Sequence, residues 1–414
     1  MADSAEGSPQ EKRRFRNAVI GVGVAQLYAW GVIYYPFSVT GKSIAADVGL
    51  STEAAFAGYS GMLLVSAIFA PWVGRAIDRR GGRPTLAFGS IFAAGALVVA
   101  AGATGPATFY ASCILLGVAS ALTLYDAGFA GLVQVAGGQG RRAITYVTFL
   151  GGFASTVFWP ITAFLAERWG WRATYLAFAA GMIALCLPIY LATLRGAADQ
   201  HATLAAEPHP NDETPLEGAP RRRAFVAFAT AIAAHQFVIA GLLIHMIGAM
   251  REAGLSNEQA ILVGMAFGPG QVLARFAEMV WGARFPAIAG GRMSVLLLPP
   301  ALLFLLSGSM SVALALCFSA ALGMSNGLMT IARGTVALAL FGRKGYGAII
   351  GDLALASLFS RAAGPLALAW ALEQLGLRVS ALFCIASALL GVLAMEIVAR
   401  IAASQRQEQR AKIA

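Results

Sequence analysis

The chain has 414 residues, of which 58% are apolar and only 12% charged, against about 45–50% and about 25% in soluble domains. Such hydrophobicity excludes intrinsic disorder, and four cysteines in a chain of this length exclude a disulfide scaffold. A net charge of +10 would suggest nucleic acid in a soluble protein, but the basic residues sit mainly in short segments between apolar runs, which is the pattern of membrane topology.

A membrane span takes roughly 20 mostly apolar residues, and twelve such runs follow one another here. After a polar start that ends in Lys12, Arg13, Arg14 and Arg16, the first six cover about 18–40, 53–73, 84–104, 107–135, 142–166 and 172–194. The first run lacks a small-residue cleavage site, so it reads as an uncleaved helix and not a signal peptide. Residues 195–223 are the only long polar stretch and read as a flexible linker. The second six runs cover about 224–250, 258–282, 293–308, 311–340, 347–373 and 379–400. The expected organisation is a tail at 1–17, a six-helix bundle at 18–194, a linker at 195–223, a second bundle at 224–400 and a tail at 401–414. The expected fold is an all-α membrane protein of twelve transmembrane helices in two six-helix halves.

Lys and Arg orient it. With the N-terminus in the cytoplasm, the inner segments hold Arg75, Arg79, Arg80, Arg83, Arg141, Arg142, Arg195, Arg221, Arg222, Arg223, Arg284, Arg292, Arg343 and Lys344. The outer loops hold Lys42, Arg168, Arg172, Arg251 and Arg378. This bias puts both termini in the cytoplasm of a multi-pass inner-membrane protein. Cys113, Cys186, Cys317 and Cys384 fall inside apolar runs without metal-ligand spacing and read as small buried hydrophobes. Glycines such as Gly117, Gly151, Gly152 and Gly323 suit close helix approach. Pro36, Pro71, Pro160, Pro269 and Pro365 lie within or at the ends of spans, where kinks are expected. A place at a helix end is the other reading for Pro36 and Pro71.

Between the second and third runs stands Gly74-Arg75-Ala76-Ile77-Asp78-Arg79-Arg80-Gly81-Gly82-Arg83. Gly74 permits close helix contact, and Gly81 and Gly82 permit a tight turn. Asp78 can sit at a helix N-terminus, where the helix dipole favours an anion. Arg79 and Arg83 can pair with carboxylates at neighbouring helix ends. Such a cluster could latch one conformational state and release in another. The loop resembles the signature of the major facilitator superfamily, G-x-x-x-D-R-x-G-x-R/K. That resemblance implies two pseudo-symmetric halves, alternating access, and a solute site near the membrane midplane. A weaker echo, Gly282 to Arg284 and Gly290 to Arg292, keeps glycines and arginines but has no aspartate.

Short motifs in both halves resemble the oxalate and monocarboxylate transporter branch. They include Gly31 to Phe37, Leu124-Tyr125, and Gly268-Pro269-Gly270-Gln271-Val272-Leu273-Ala274-Arg275. The resemblance implies that Tyr34, Tyr125 and Arg275 line the site. The lysine of oxalate carriers falls on Leu353, the aspartate of animal monocarboxylate carriers on Gln271, and the tenth-helix aromatics on Asn326 and Thr330. Gln271, Asn326 and Thr330 are therefore candidate neutral ligands, as are Gln26 and Tyr28. Drug antiporters carry an arginine in the fourth helix, and the fourth run here has none.

A charge in hydrocarbon costs on the order of 2.5–3.5 kcal/mol on insertion scales, so intramembrane charges should face protein or water. Arg275 suits a carboxylate through its bidentate fork, or pairs with Glu278 one turn on. Arg361 is a second candidate cation, and Arg333 reads as structural. Asp126, Asp352, Glu278 and His235 are candidates for proton coupling. Asp126 could instead pair with Arg79 or Arg83, and a lone helical histidine such as His235 is more often a satisfied core residue.

The expected function is secondary transport of a small organic anion, of monocarboxylate or dicarboxylate type, by proton symport or anion exchange. Efflux of a drug-like or metalloid solute is the alternative, and a membrane receptor is the rival outside transport. No phosphate-cradling loop at a strand–helix junction and no nucleophile–base or metal constellation is visible. No cofactor, metal, catalytic group or nucleic-acid partner is expected. The expected partners are the solute, a proton or counter-anion, and the lipid bilayer, with the protein as a monomer.

Overall fold

The computed structural model describes residues 9–195, 215–307 and 311–413, so most of the expected linker lies outside the described residues. Among the described residues the chain is helical and contains no strand. It divides into two compact units. The first is Met1–Asp212 with Arg343–Asp352, and the second is Glu213–Gly342 with Leu353–Ala414.

In the first unit, α1 (Pro9–Ala29) runs through a π-helical turn, Trp30–Tyr34, into α2 (Pro36–Asp47). Pro36 opens α2, where its missing N–H is no loss. The Ser51 side chain accepts from Ala54 N at 3.1 Å and starts α3 (Thr52–Arg80). Gly81, at φ 90°, then turns the chain into α4 (Gly82–Ala101). The fourth expected span is two helices, α5 (Pro106–Thr123) and α6 (Tyr125–Ala136), broken at Leu124, whose backbone is extended. Next come α7 (Gly140–Gly151) and α8 (Ala154–Gly181). Gly170, at φ 78°, divides α8 into the expected fifth and sixth spans. A second π-helical turn, Met182–Cys186, leads to α9 (Leu187–Thr193).

In the second unit, α10 (Gly218–Glu252) starts inside the stretch expected as linker, so Arg221, Arg222 and Arg223 are helical. A reciprocal Ser256–Gln259 capping box starts α11 (Asn257–Trp281). The ninth span is α12 (Ala287–Leu296) and α13 (Leu298–Leu303), and the tenth is α14 (Val312–Phe341). The last helix, α15 (Tyr346–Ile413), is divided by Gly376 at φ 75° into the expected eleventh and twelfth spans. Pro71, Pro160, Pro269 and Pro365 are all helix-interior.

Nine helical stretches of the described residues are long and apolar enough to cross a membrane. The longest two, Pro106–Thr193 and Tyr346–Gln407, hold three and two of the expected runs. Large apolar side chains point outward, among them Leu366, Met265 and Ile244. This inverts the soluble pattern because lipid, not water, is the solvent there. The same reason corrects one cysteine: Cys113, Cys186 and Cys384 are buried as expected, but Cys317 is exposed.

Candidate functional site

The first unit gathers the two tyrosines singled out in the sequence at two helix breaks. Tyr34 ends the π-helical turn, where Tyr35 N bonds back to Trp30 O at 3.2 Å. Tyr125 follows the extended Leu124. Trp30 joins them, with ring centroids 5.0 Å from Tyr34 and 5.0 Å from Tyr125. Tyr35 and Tyr59 extend the cluster, and Trp159 packs on Tyr35 at 5.9 Å. The Tyr59 hydroxyl donates to Tyr34 O at 2.7 Å. The Tyr125 hydroxyl points to Thr148 O at 3.4 Å, and a Cβ at Gly151 would collide with that hydroxyl. Irregular helix at such depth is tolerated only where protein or a water-lined cavity surrounds it, and π-turns recur at functional sites.

Buried amides and hydroxyls hold these breaks open. Gln26, fully buried, donates to Thr123 O at 2.7 Å and so caps the carbonyl end of α5. It also reaches the Tyr190 hydroxyl at 3.3 Å. Tyr28 donates to Phe178 O at 3.1 Å, just ahead of the second π-turn. Both candidate ligands are thus engaged with backbone. Asp126 lies in the first turn of α6, where free N–H groups favour a carboxylate.

In the signature loop Asp78 meets a helix N-terminus as expected, whereas Arg83 bonds a backbone carbonyl and not a carboxylate. Asp78 accepts from Gly347 N at 2.9 Å and from Ala348 N at 2.7 Å, the first turn of α15. A Cβ at Gly74 would strike Gly347 O, and one at Gly351 would lie 2.8 Å from Pro71 Cα. The glycines therefore let α3 and the start of α15 touch backbone to backbone. Arg75 pairs with Asp352 at 2.9 Å, both side chains part-exposed. Arg83 donates to Leu191 O at 3.1 Å, and Arg79 is exposed. Gln134 on α6, not singled out in the sequence, brackets the turn. Its amide donates to Ile77 O at 2.9 Å and accepts from Gly82 N at 2.7 Å. In the weaker echo, Arg292 forms a two-pronged pair with Glu396, at 2.6 and 3.0 Å.

The second unit brings Arg275, Gln271 and Asn326 together. Arg275 is only 6% exposed. Its Nη2 donates to Gln271 Oε1 at 3.2 Å, and Asn326 Nδ2 donates to the same oxygen at 3.3 Å. Arg275 Nε has no acceptor. The Glu278 carboxyl lies over Gly282 and Gly290 instead. The cause of the approach is again glycine: a Cβ at Gly327 would lie 2.7 Å from Gln271 O, and one at Gly323 would strike Phe267 O. Thr330 bonds back to Asn326 O at 2.8 Å. Arg361 is half-buried on α15, and Arg333 is 8% exposed.

His235 is fully buried, 2.8 Å from the Ser325 hydroxyl, which itself donates to Ser294 O at 2.6 Å. Ser325 therefore accepts from His235 Nε2–H, leaving Nδ1 as an acceptor without a donor. Among the described residues no group of three acidic, histidine or cysteine side chains could hold a metal.

Trp30, Tyr35, Tyr59, Trp159 and Gln134 escaped the sequence reading. The aromatic run Trp30 to Tyr35 was a visible signal for two of them. Tyr59, Trp159 and Gln134 come from other helices and carry no local pattern.

The model of the Major Facilitator Superfamily matches residues 21–351. No curated protein sequence matches the chain significantly. Solved structures that share its fold include the following two. The human organic anion transporter MFSD10 (TETRAN) aligns with a TM-score of 0.66 and 17% identity, over 94% of this chain and 100% of that one. The proton:xylose symporter XylE, bound to 6-bromo-6-deoxy-D-glucose, aligns with a TM-score of 0.66 and 14% identity, over 94% and 96%.

Proposed function

Since the chain belongs to the Major Facilitator Superfamily, and is a multi-pass secondary transporter on that ground, we propose that its solute is a small organic anion of monocarboxylate or dicarboxylate type. The observation that carries this reading is Arg275. Its guanidinium is buried within a span, bonded to one neutral amide, with Nε unpartnered. Burying a cation without a counter-charge is costly. An anionic solute that accepts from the fork removes that cost when it binds. Asn326 and Gln271 present neutral polar groups beside it, and Arg361 is a second cation on another helix. MFSD10 is described as an organic anion transporter, in keeping with this class.

Drive comes from proton symport or anion exchange, with Asp126, Asp352, Glu278 and His235 as the candidate proton carriers. Asp352 is bonded to Arg75, so a proton step there would have to break that pair. Asp78 and its loop act as the latch, gripping the first turn of α15 in this state and releasing it in another. The protein sits in an inner membrane with both termini cytoplasmic. One observation favours the alternative, efflux of a drug-like solute, namely the ring cluster of Trp30, Tyr34 and Tyr125.

Counterflow in proteoliposomes separates the two, using labelled lactate, oxalate and succinate. The purified protein is expected to exchange at least one of them. Arg275→Ala should lower that exchange by about tenfold to a hundredfold, the equivalent of one charge-assisted hydrogen bond. Normal exchange by both Arg275→Ala and Arg361→Ala would end the anion reading.

A further inference from the structure

We propose that the first unit binds an anionic phospholipid, whose phosphate is cradled by Arg14, Arg83 and Arg195. The site lies within this unit alone and does not depend on which solute is carried.

The three arginines come from α1, the first turn of α4 and the residues just past α9, and they meet at the carbonyl end of α9. Arg83 Nε donates to Leu191 O at 3.1 Å, Arg195 Nε donates to the same oxygen at 3.2 Å, and Arg14 Nη2 donates to Arg195 O. Packing explains the meeting. A Cβ at Gly21 would lie 2.5 Å from Thr193 Cγ2, so α1 and α9 run in close contact. Arg14 stands about two turns before Gly21 and so reaches the end of α9. The helix α4, which opens with Gly82 and Arg83, packs on α9 as well.

A helix carbonyl end attracts a cation, but its partial charge is only roughly −0.5. Three full charges exceed what capping asks for. A guanidinium carries five N–H donors, and each of these three spends one on a carbonyl. Among the described residues no carboxylate pairs with any of them. The N-terminus of α4 adds a dipole of the same sign. Like charges so gathered repel, and an oxyanion that accepts from two or three forks removes the repulsion.

The surface beside the cluster selects a lipid over a soluble phosphate. Ile20 on α1, Phe88 on α4 and Leu191 on α9 are exposed, each within about two turns of an arginine of the cluster along the chain. In a chain that spans the bilayer, exposed apolar side chains face acyl chains and helix ends lie at headgroup depth. A phosphodiester there brings its charge to the guanidiniums while its chains cover these side chains.

The experiment uses the full chain in detergent, with native mass spectrometry counting the lipid retained. The probes are phosphatidylglycerol, phosphatidylcholine with the same acyl chains, and sn-glycerol 3-phosphate. Phosphatidylglycerol is expected to be retained where the other two are not. The double variant Arg14→Gln, Arg195→Gln should lower its affinity by about tenfold to a hundredfold. The double variant Arg222→Gln, Arg223→Gln removes the same charge from exposed positions on α10 and should change it by less than about twofold. Should the first variant not fold, phenylglyoxal labelling of the unsubstituted chain locates the lipid, which is expected to protect Arg83 and Arg195 but not Arg222 and Arg223. Equal retention of the two lipids, equal losses in the two variants, or equal protection of the two arginine pairs would overturn the proposal. Binding of sn-glycerol 3-phosphate as tight as that of phosphatidylglycerol would replace the lipid with a soluble phosphate and overturn it too.

Discussion

Arg275 and Gln271 show how one residue sets the demands on its neighbours. The guanidinium is a planar fork of five donors, and the structure gives it one recorded acceptor, Gln271 Oε1. An aspartate at position 271 would have formed a permanent ion pair and neutralised the site. Glutamine bonds without cancelling the charge. Lysine keeps that charge but not the bidentate geometry. On the proposed anion reading, Arg275→Lys is therefore expected to recover less than about a tenth of wild-type exchange, measured by counterflow of the anion found to bind. Hydropathy alone marks Arg275 as a charge in an apolar run. That it pairs with Gln271 and not Glu278 depends on where the turns of α11 point, and a spacing of one turn suits both.

At the scale of elements, α11 and α14 approach because three glycines remove side chains from the seam. Gly270 lies against Ala320, Gly323 against Phe267 and Gly327 against Gln271. In lipid, such backbone approach supplies the packing that a hydrophobic effect supplies in water. Gly323→Val would force the helices apart and carry Gln271 away from Asn326. It should cost about 1–3 kcal/mol or more as an overpacked seam, seen as a clear drop in melting temperature together with weakened anion binding. Gly268, with nothing within 4 Å of a Cβ, supplies the control. Gly268→Ala should leave both measurements unchanged. The expected small-residue role of Gly323 was legible in the sequence. Its partners were not, since they come from another helix.

At the scale of the molecule, two devices act on the first turns of α15, and magnitudes separate them. Arg75–Asp352 is a half-exposed pair, of a kind worth about 0–1 kcal/mol. Asp78 accepts from two backbone N–H groups at a helix N-terminus, worth about 0.5–2 kcal/mol as a cap with a further dipole contribution. Asp78→Ala should therefore change the counterflow rate several-fold more than Asp352→Asn does. Anion affinity in detergent should stay near wild type in both, since neither side chain belongs to the Arg275 cluster. Equal effects of the two substitutions on counterflow would remove Asp78 from the role of latch.

The sequence by itself determined the class of molecule: membrane-embedded, all-helical, with twelve apolar runs and a loop that belongs to one superfamily. Hydropathy and Lys/Arg placement are one-dimensional signals, summed along the chain, and need no fold to be read. Hydropathy also marked Arg275, because a charge in an apolar run stands out locally, whereas Tyr34 and Tyr125 came from the resemblance of short motifs to a transporter branch. Only the tertiary structure decided what those residues meet. The extended Leu124, the Trp30–Tyr34 π-turn and the Gln134 bracket are compromises between one helix and its neighbours. Buried backbone groups must find partners, and here the partners lie on other helices: Gln26 for Thr123, Tyr28 for Phe178 and Asp78 for Gly347 and Ala348. Those pairings join residues dozens to hundreds of positions apart, a separation over which no local pattern carries information.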